Sequence, residues 1–231
     1  MFAAHDISRV AVVDDDELGR DDLMDELRDR SFEPLTVGGA YGSDIDRLLA
    51  DLLAQSPDFV ICDHKLQPGG LATFYGLDVV RRLISARYPA MLVTMYQTTD
   101  RTRMELRAAR DAVPVILARD AFKPERLERY VDIVRREVAG DPVDERRPHR
   151  TVIRVDYVDE PSGNLDAMVP AWSPDHALTI PAACIGPHLR GRIKVGDHLA
   201  GDVNIGAGLE DELYFSNVDE IVEPKLISGI P

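Results

Sequence analysis

Residues 9–20 read RVAVVDDDELGR and residues 58–65 read DFVICDHK. In each, a run of four apolar residues, too short for a helix and rich in β-branched side chains, stops on aspartate. Short, uniformly apolar strands of this kind belong to parallel sheets buried on both faces. Their carboxyl ends form the edge where open α/β folds bind ligands. Asp14, Asp15 and Asp16 therefore stand at that edge together with Asp63. Carboxylates gathered there repel one another, and a hard cation relieves them. Mg2+, held by a couple of carboxylates with water and phosphate oxygens, suits such a site. Read alone, three Asp after a strand also serve to cap the next helix.

Working outward, the first 140 residues alternate apolar runs with amphipathic stretches, the pattern of β-α units stacked on a mostly parallel sheet. Strands are predicted at Arg9–Val13, weakly near Pro34–Val37, and at Asp58–Cys62, Ala90–Met95 and Pro114–Ala118. Helices are predicted at Leu18–Arg30, with Leu18, Leu23, Met24 and Leu27 on its apolar side, then at Asp44–Gln55, Gly76–Arg87 and Asp100–Ala112. A fifth starts at Pro124 and ends before Gly140. The stretch AGDPVDERRPHR, residues 139–150, has the Pro, Gly and charge content of a linker between a first domain (1–138) and a second (151–231).

In the second domain, Pro and Gly punctuate short strand-like runs at Val152–Val158, Ala167–Val169, Ala177–Ile180, His198–Ile205 and Glu212–Phe215. That spacing suggests a small antiparallel barrel-like or sandwich fold. Arg190, Arg192 and Lys194 alternate as on one strand face, usually a solvated one. Cys184 and His188 have helical spacing, yet no second close pair supports zinc. Asp197 beside His198 reads as a turn into a strand rather than as acid–base chemistry. A binding module fits this composition better than an enzyme.

Charge excludes further classes. The chain carries 27 basic and 41 acidic residues, and residues 151–231 alone hold five against thirteen, a net of −8. Nucleic acid is a poor partner for that field. Two distant cysteines and the lack of an apolar leader point to the cytoplasm. No apolar run approaches the roughly 18 residues that a membrane helix needs.

The remaining strand ends complete a pattern. MLVTMY (91–96) closes the fourth strand on Thr94, and VILARD (115–120) closes the fifth on Arg119. Acid, acid, hydroxyl and cation at four strand ends can bind a phosphoryl group. Residues 9 to about 138 resemble the receiver domain of two-component response regulators, with VVDDDELGR, VICDHKLQPGG, LVTMY and VILARD in the places of its motifs. The resemblance implies a flavodoxin-like doubly wound five-stranded parallel sheet of order 2-1-3-4-5. It also implies reversible phosphorylation of Asp63 by a cognate histidine kinase or phosphotransfer protein. By the same resemblance, Mg2+ is bound by Asp15 and Asp63, by Asp14 through water, and by the backbone carbonyl of Lys65. Thr94 then hydrogen-bonds the phosphoryl group. Helix 4, strand 5 and helix 5 form the expected moving or dimerising surface, acting on a downstream protein partner.

Three departures from the family pattern stand out. About five extra residues among Gln67–Tyr75 follow the acceptor, reading as a surface excursion, with a shield over the phosphate or a Phe74–Tyr75 partner contact as alternatives. Arg119 takes the place of the usual Lys, while Lys123 before Pro124 is the alternative candidate. Met95 follows Thr94 where a small residue is usual. A phosphate-independent scaffold is the second functional reading.

Overall fold

Val10–Val13 is buried throughout, and the first of two structural units is assembled around it. The computed structural model describes residues 7–94 and 100–223. β1 (Arg9–Val13) is flanked by β2 (Glu33–Thr36) and β3 (Phe59–Cys62), and β4 (Ala90–Thr94) and β5 (Ile116–Ala118) extend the sheet. The order is β2-β1-β3-β4-β5 and every pairing is parallel. This is the expected flavodoxin-like doubly wound sheet. β3 and β4 are buried at every residue, whereas edge strand β2 is partly exposed, which is why its sequence reads weakly.

The helices of this unit are α1 (Glu17–Arg28), α2 (Ile45–Ala54) and α3 (Gly76–Ser85). In α1, Leu23, Met24 and Leu27 face the core, but Leu18 is 79% exposed. At about 100° per residue, Leu18 lies roughly 140° round the helix from Leu23, outside the apolar stripe. Asp44 caps α2 by accepting from the Arg47 amide at 3.0 Å.

The next helix, α4 (Asp100–Ala109), departs from the expected domain plan. The chain divides into Met1–Thr99 with Ala112–Pro142, and Asp100–Asp111 with Val143–Pro231. Helix α4 thus belongs to the second unit, while α5 (Leu127–Ala139), entered through a 3-10 turn at Pro124–Arg126, returns to the first. The physical reason lies in buried cations. The Arg107 guanidinium, 4% exposed, donates to the Thr179 carbonyl at 2.8 Å and to the Glu210 carboxylate at 2.6 Å. Arg146, in the stretch predicted as a linker, is also buried. It donates to the Arg110 carbonyl at 2.8 Å, and its guanidinium lies 4.8 Å from the Tyr214 ring centre. Half of the charged linker is therefore structural, and the unit boundary falls at Pro142.

The second unit carries an antiparallel sheet of β6 (His149–Val158), β7 (Leu165–Val169), β8 (Ser173–Ile180), β9 (His198–Val203) and β10 (Phe215–Val222), in order β10-β9-β6-β7-β8. Ile153, Val155, Leu165, Leu199, Leu213 and Phe215 anchor its core. The last strand starts where the predicted Glu212–Phe215 ends, because Glu210–Glu212 forms a 3-10 turn. The pairing of β10 with β9 shifts register between Ser216 and Glu220, so its apolar residues do not alternate. Arg190 and Arg192 lie in a turn and Lys194 in irregular chain, none of them on a strand. Asp197 accepts from the Lys194 amide at 2.8 Å, as a turn requires. His188 faces the Asp219 carbonyl and His176 the Glu210 carboxylate.

Replacing Arg107 by Met should destabilise the second unit. It removes a charge-assisted pair with a half-exposed acid, worth about 2 kcal/mol. In a unit of about 100 residues that corresponds to a fall in Tm of roughly 8–16 °C, readable by thermal melting. Hydrogen exchange should place the loosening in α4 and residues 209–213. An unchanged melt would contradict the role assigned to this pair.

Candidate functional site

Parallel pairing of β1 with β3 sets Val13 opposite Cys62, so the next residues, Asp14 and Asp63, leave the sheet side by side. The Asp63 amide donates to the Val13 carbonyl at 2.8 Å, continuing the ladder one step past the strand. One carboxylate oxygen each from Asp14, Asp15 and Asp63 lie within 4.8 Å of one another. The Asp14–Asp16 run divides between capping the helix and joining the acidic cluster. Asp16 caps α1 by accepting from the Leu18 amide, while Asp14 and Asp15 join Asp63. Asp14 also accepts from the Asp16 amide at 2.9 Å, which fixes its side chain.

These carboxylates line a cleft of about 580 Å3 at the carboxyl edge of the sheet, with Arg119, Pro68 and Gly69 among the other lining residues. Arg119 follows β5 directly, its amide donating to the Thr94 carbonyl at 3.0 Å. Its guanidinium lies 3.5 Å from Glu26 and 5.9 Å from the Phe122 ring centre. Lys123, the alternative cation, donates to the Asp120 carbonyl at 3.1 Å and is not among the cleft residues. Thr94 is buried at the end of β4, opposite Ala118, and Val93 rather than Thr94 lines the cleft. Met95 lies outside the described residues. The Lys65 amide donates to the Asp63 carboxylate at 2.8 Å.

Electrostatics follow from this crowding. Burial, and after it the neighbouring Asp14, push the Asp63 carboxyl up to about 7, against the Lys65 and His64 amides, which favour its anion. Burial pushes Asp14 up to about 6, with Asp15 and Asp16 adding repulsion against the Asp16 amide. Hard oxygen donors from two strand ends, in a cleft with space for water and phosphate oxygens, fit Mg2+. Among the described residues this is the one group of acidic, His or Cys side chains close enough to share an ion.

The segment after Asp63 is no loose excursion. Leu66, Leu71 and Ala72 are buried, and the Ala72 amide donates to the Leu66 carbonyl at 2.9 Å. The Tyr41 amide bonds the Leu71 carbonyl and the Thr73 amide bonds the Gly42 carbonyl, both at 2.7 Å. His64, 1% exposed, stacks on Tyr75 with ring centres 5.0 Å apart. At Gly76, where α3 begins, a Cβ would overlap the Asp63 carbonyl, so only glycine lets this helix start against the backbone of Asp63. Gly69 donates its amide to the Asp15 carboxylate. The sequence singles out the loop but not Gly69, because a Pro-Gly-Gly turn carries no sign of what its amides face.

No protein-family model and no curated protein sequence matches the chain. Solved structures similar to it include response regulators and receiver domains. One is response regulator TrrA from Thermotoga maritima in complex with Mg2+-BeF, at 20% identity, covering 55% of this chain and 98% of that one, with a TM-score of 0.41. Another is a putative response regulator from Chloroflexus aurantiacus, at 21% identity, 58% and 99% coverage and a TM-score of 0.41. A third is the chemotaxis response regulator CheY4 of Vibrio cholerae, at 20%, 56% and 99%, with a TM-score of 0.39. No helix among the described residues is long and apolar enough to cross a membrane.

Because folding raises the Asp63 and Asp14 values above those of the unfolded chain, the folded state binds the extra protons. The associated stability is complete below about pH 4 and is lost as pH climbs through about 6 and 7. In EDTA, Asp63→Asn should therefore raise Tm by several degrees at about pH 7.5 and change it little at about pH 4, each pKa unit being worth about 1.4 kcal/mol. Mg2+ should raise the native Tm at the higher pH only. Paired melts with and without the cation check both signs.

Proposed function

We propose that the protein is a response regulator that accepts a phosphoryl group on Asp63 and passes the change to its second unit. The observation that carries this reading is the convergence of Asp14, Asp15, Asp63 and Arg119 on one cleft at the carboxyl edge of the sheet. An Asp63 oxygen attacks the phosphorus of a phosphohistidine on a kinase or phosphotransfer protein. The P–O bond forms as the P–N bond breaks, and the imidazole nitrogen takes the electron pair and a proton from solvent. Asp14 through water, Asp15, Asp63 and the Lys65 carbonyl would hold Mg2+, which supplies positive charge to neutralise the phosphoryl oxygens as they approach three carboxylates. Arg119 supplies a further cation from the cleft wall, and its planar fork suits two oxygens rather than one. Thr94 is the group at the end of β4 placed to sense the added charge.

The route to the output is supported by chain order. From Thr94 the chain runs through residues 95–99 into α4, an element of the second unit, and then back to β5. A phosphoryl group adds about −1.5 to −2 charges, and any rearrangement it drives at Thr94 acts on a segment that ends in the output unit. That unit, with its acidic surplus, engages a protein rather than nucleic acid.

Intact-mass spectrometry after incubation with acetyl phosphate and Mg2+, cold and at neutral pH, tests the reading. The native chain should gain one phosphoryl group, about 80 Da, and Asp63→Asn none. No gain in the native chain, with BeF3− also failing to bind, would reject it in favour of a phosphate-independent scaffold.

A further inference from the structure

Resting on that reading of the site, we propose that the loop from Leu66 to Tyr75 is a positioning element for it. Its Gly69 amide fixes the Asp15 carboxylate, so that divalent-cation binding and loop order are coupled.

The loop has a framework of its own. Buried Leu66, Leu71 and Ala72 root it in the first unit, and its backbone is laced to Tyr41 and Gly42 at the end of the β2 crossover. The Gln67 side-chain amide donates to the Phe74 carbonyl at 2.9 Å, tying its two limbs together. A turn closed by the Gly70 amide on the Gln67 carbonyl, at 3.0 Å, forms the tip. That tip brings Pro68 and Gly69 to the cleft wall. There Gly69 donates to the Asp15 carboxylate, and a Cβ on Gly69 would overlap the Asp15 carbonyl. The approach is thus a backbone-to-backbone fit that no other residue type permits.

The energetic consequence concerns Asp15. A carboxylate on a strand-end loop rotates among several orientations, and a cation must select one. An amide delivered by a rooted loop makes that selection in advance, as partners of ligating carboxylates do elsewhere, where their loss typically costs about 10–100-fold in metal affinity. The coupling is reciprocal: what fixes Asp15 for the cation also makes the bound cation hold the loop tip.

The test uses the full chain and Mg2+ alone. Titration calorimetry should show Gly69→Ala, whose Cβ drives the tip off Asp15, binding Mg2+ about 10-fold more weakly than the native chain. Gln67→Ala, which loosens the tip without touching the site, should show a smaller loss in the same direction. A melting curve establishes that each variant is folded. By hydrogen exchange, Mg2+ should protect residues 64–75 in the native chain and not in Asp15→Asn. Native-like Mg2+ affinity in folded Gly69→Ala, or loop exchange indifferent to bound Mg2+, would overturn the inference and leave the phosphoacceptor reading intact. Failure of the native chain to bind Mg2+ would overturn both.

Discussion

The register between β1 and β3 is the constraint on which the first unit depends. Once Val13 lies opposite Cys62, the two chains must release Asp14 and Asp63 at adjacent points of the same edge. The strands that fix this register are apolar on both faces and tolerate no slip, since a one-residue shift would turn buried side chains outward. The repulsion at the edge is thus imposed by the core and cannot relax by strand movement. Burial first, and this repulsion after it, leave carboxyl groups that hold their protons well above the usual range. A site that concentrates like charge this way is destabilising by itself, and a bound cation or phosphoryl chemistry is what such strain can serve.

The second unit solves a different problem. Its acidic surplus is highest in the turn at Glu210–Glu212, beside an open sheet edge. Arg107 enters there with almost no exposed surface. Its partner Glu210 is pulled up by partial burial, yet hydrogen bonds from His176 and Arg107 hold its carboxyl below the ordinary value. Buried Arg110 shows the cost of the arrangement, its guanidinium pushed down to about 10 by burial beside Arg146 and Arg107. Removing a buried charge from such a group costs more than never having placed it. Helix α4 is therefore a fixed part of the second unit, although its sequence lies between two strands of the other.

Legibility in the sequence followed the same division. β1, β3, β4 and β5 are readable because each is a short apolar run, and Asp14, Asp15, Asp63 and Arg119 follow directly on three of them. Helix α4 groups with the second unit, although its pattern, DRTRMELRAA, is mostly polar and gives no hint that Arg107 and Arg110 are buried. A buried arginine is visible only through its partner, and Glu210 lies 103 residues away. The β10 boundary was missed for a local reason, the positive φ of Asn217 and the register shift beside it, which break the alternation a strand search relies on.

Backbone amides are the least legible part of the site and set much of its geometry. Asp63 is held by the Lys65 amide, Asp14 by the Asp16 amide and Asp15 by the Gly69 amide. Each donor is independent of side-chain identity, so only the path of the chain decides whether it arrives. For the first two, that path is a tight turn within two residues, available to almost any sequence. For Asp15 the donor is 54 residues distant and requires a glycine, a folded loop and three buried anchors. The loop from Leu66 to Tyr75 is thus what carries an amide to the one carboxylate that its own strand end leaves without a local turn.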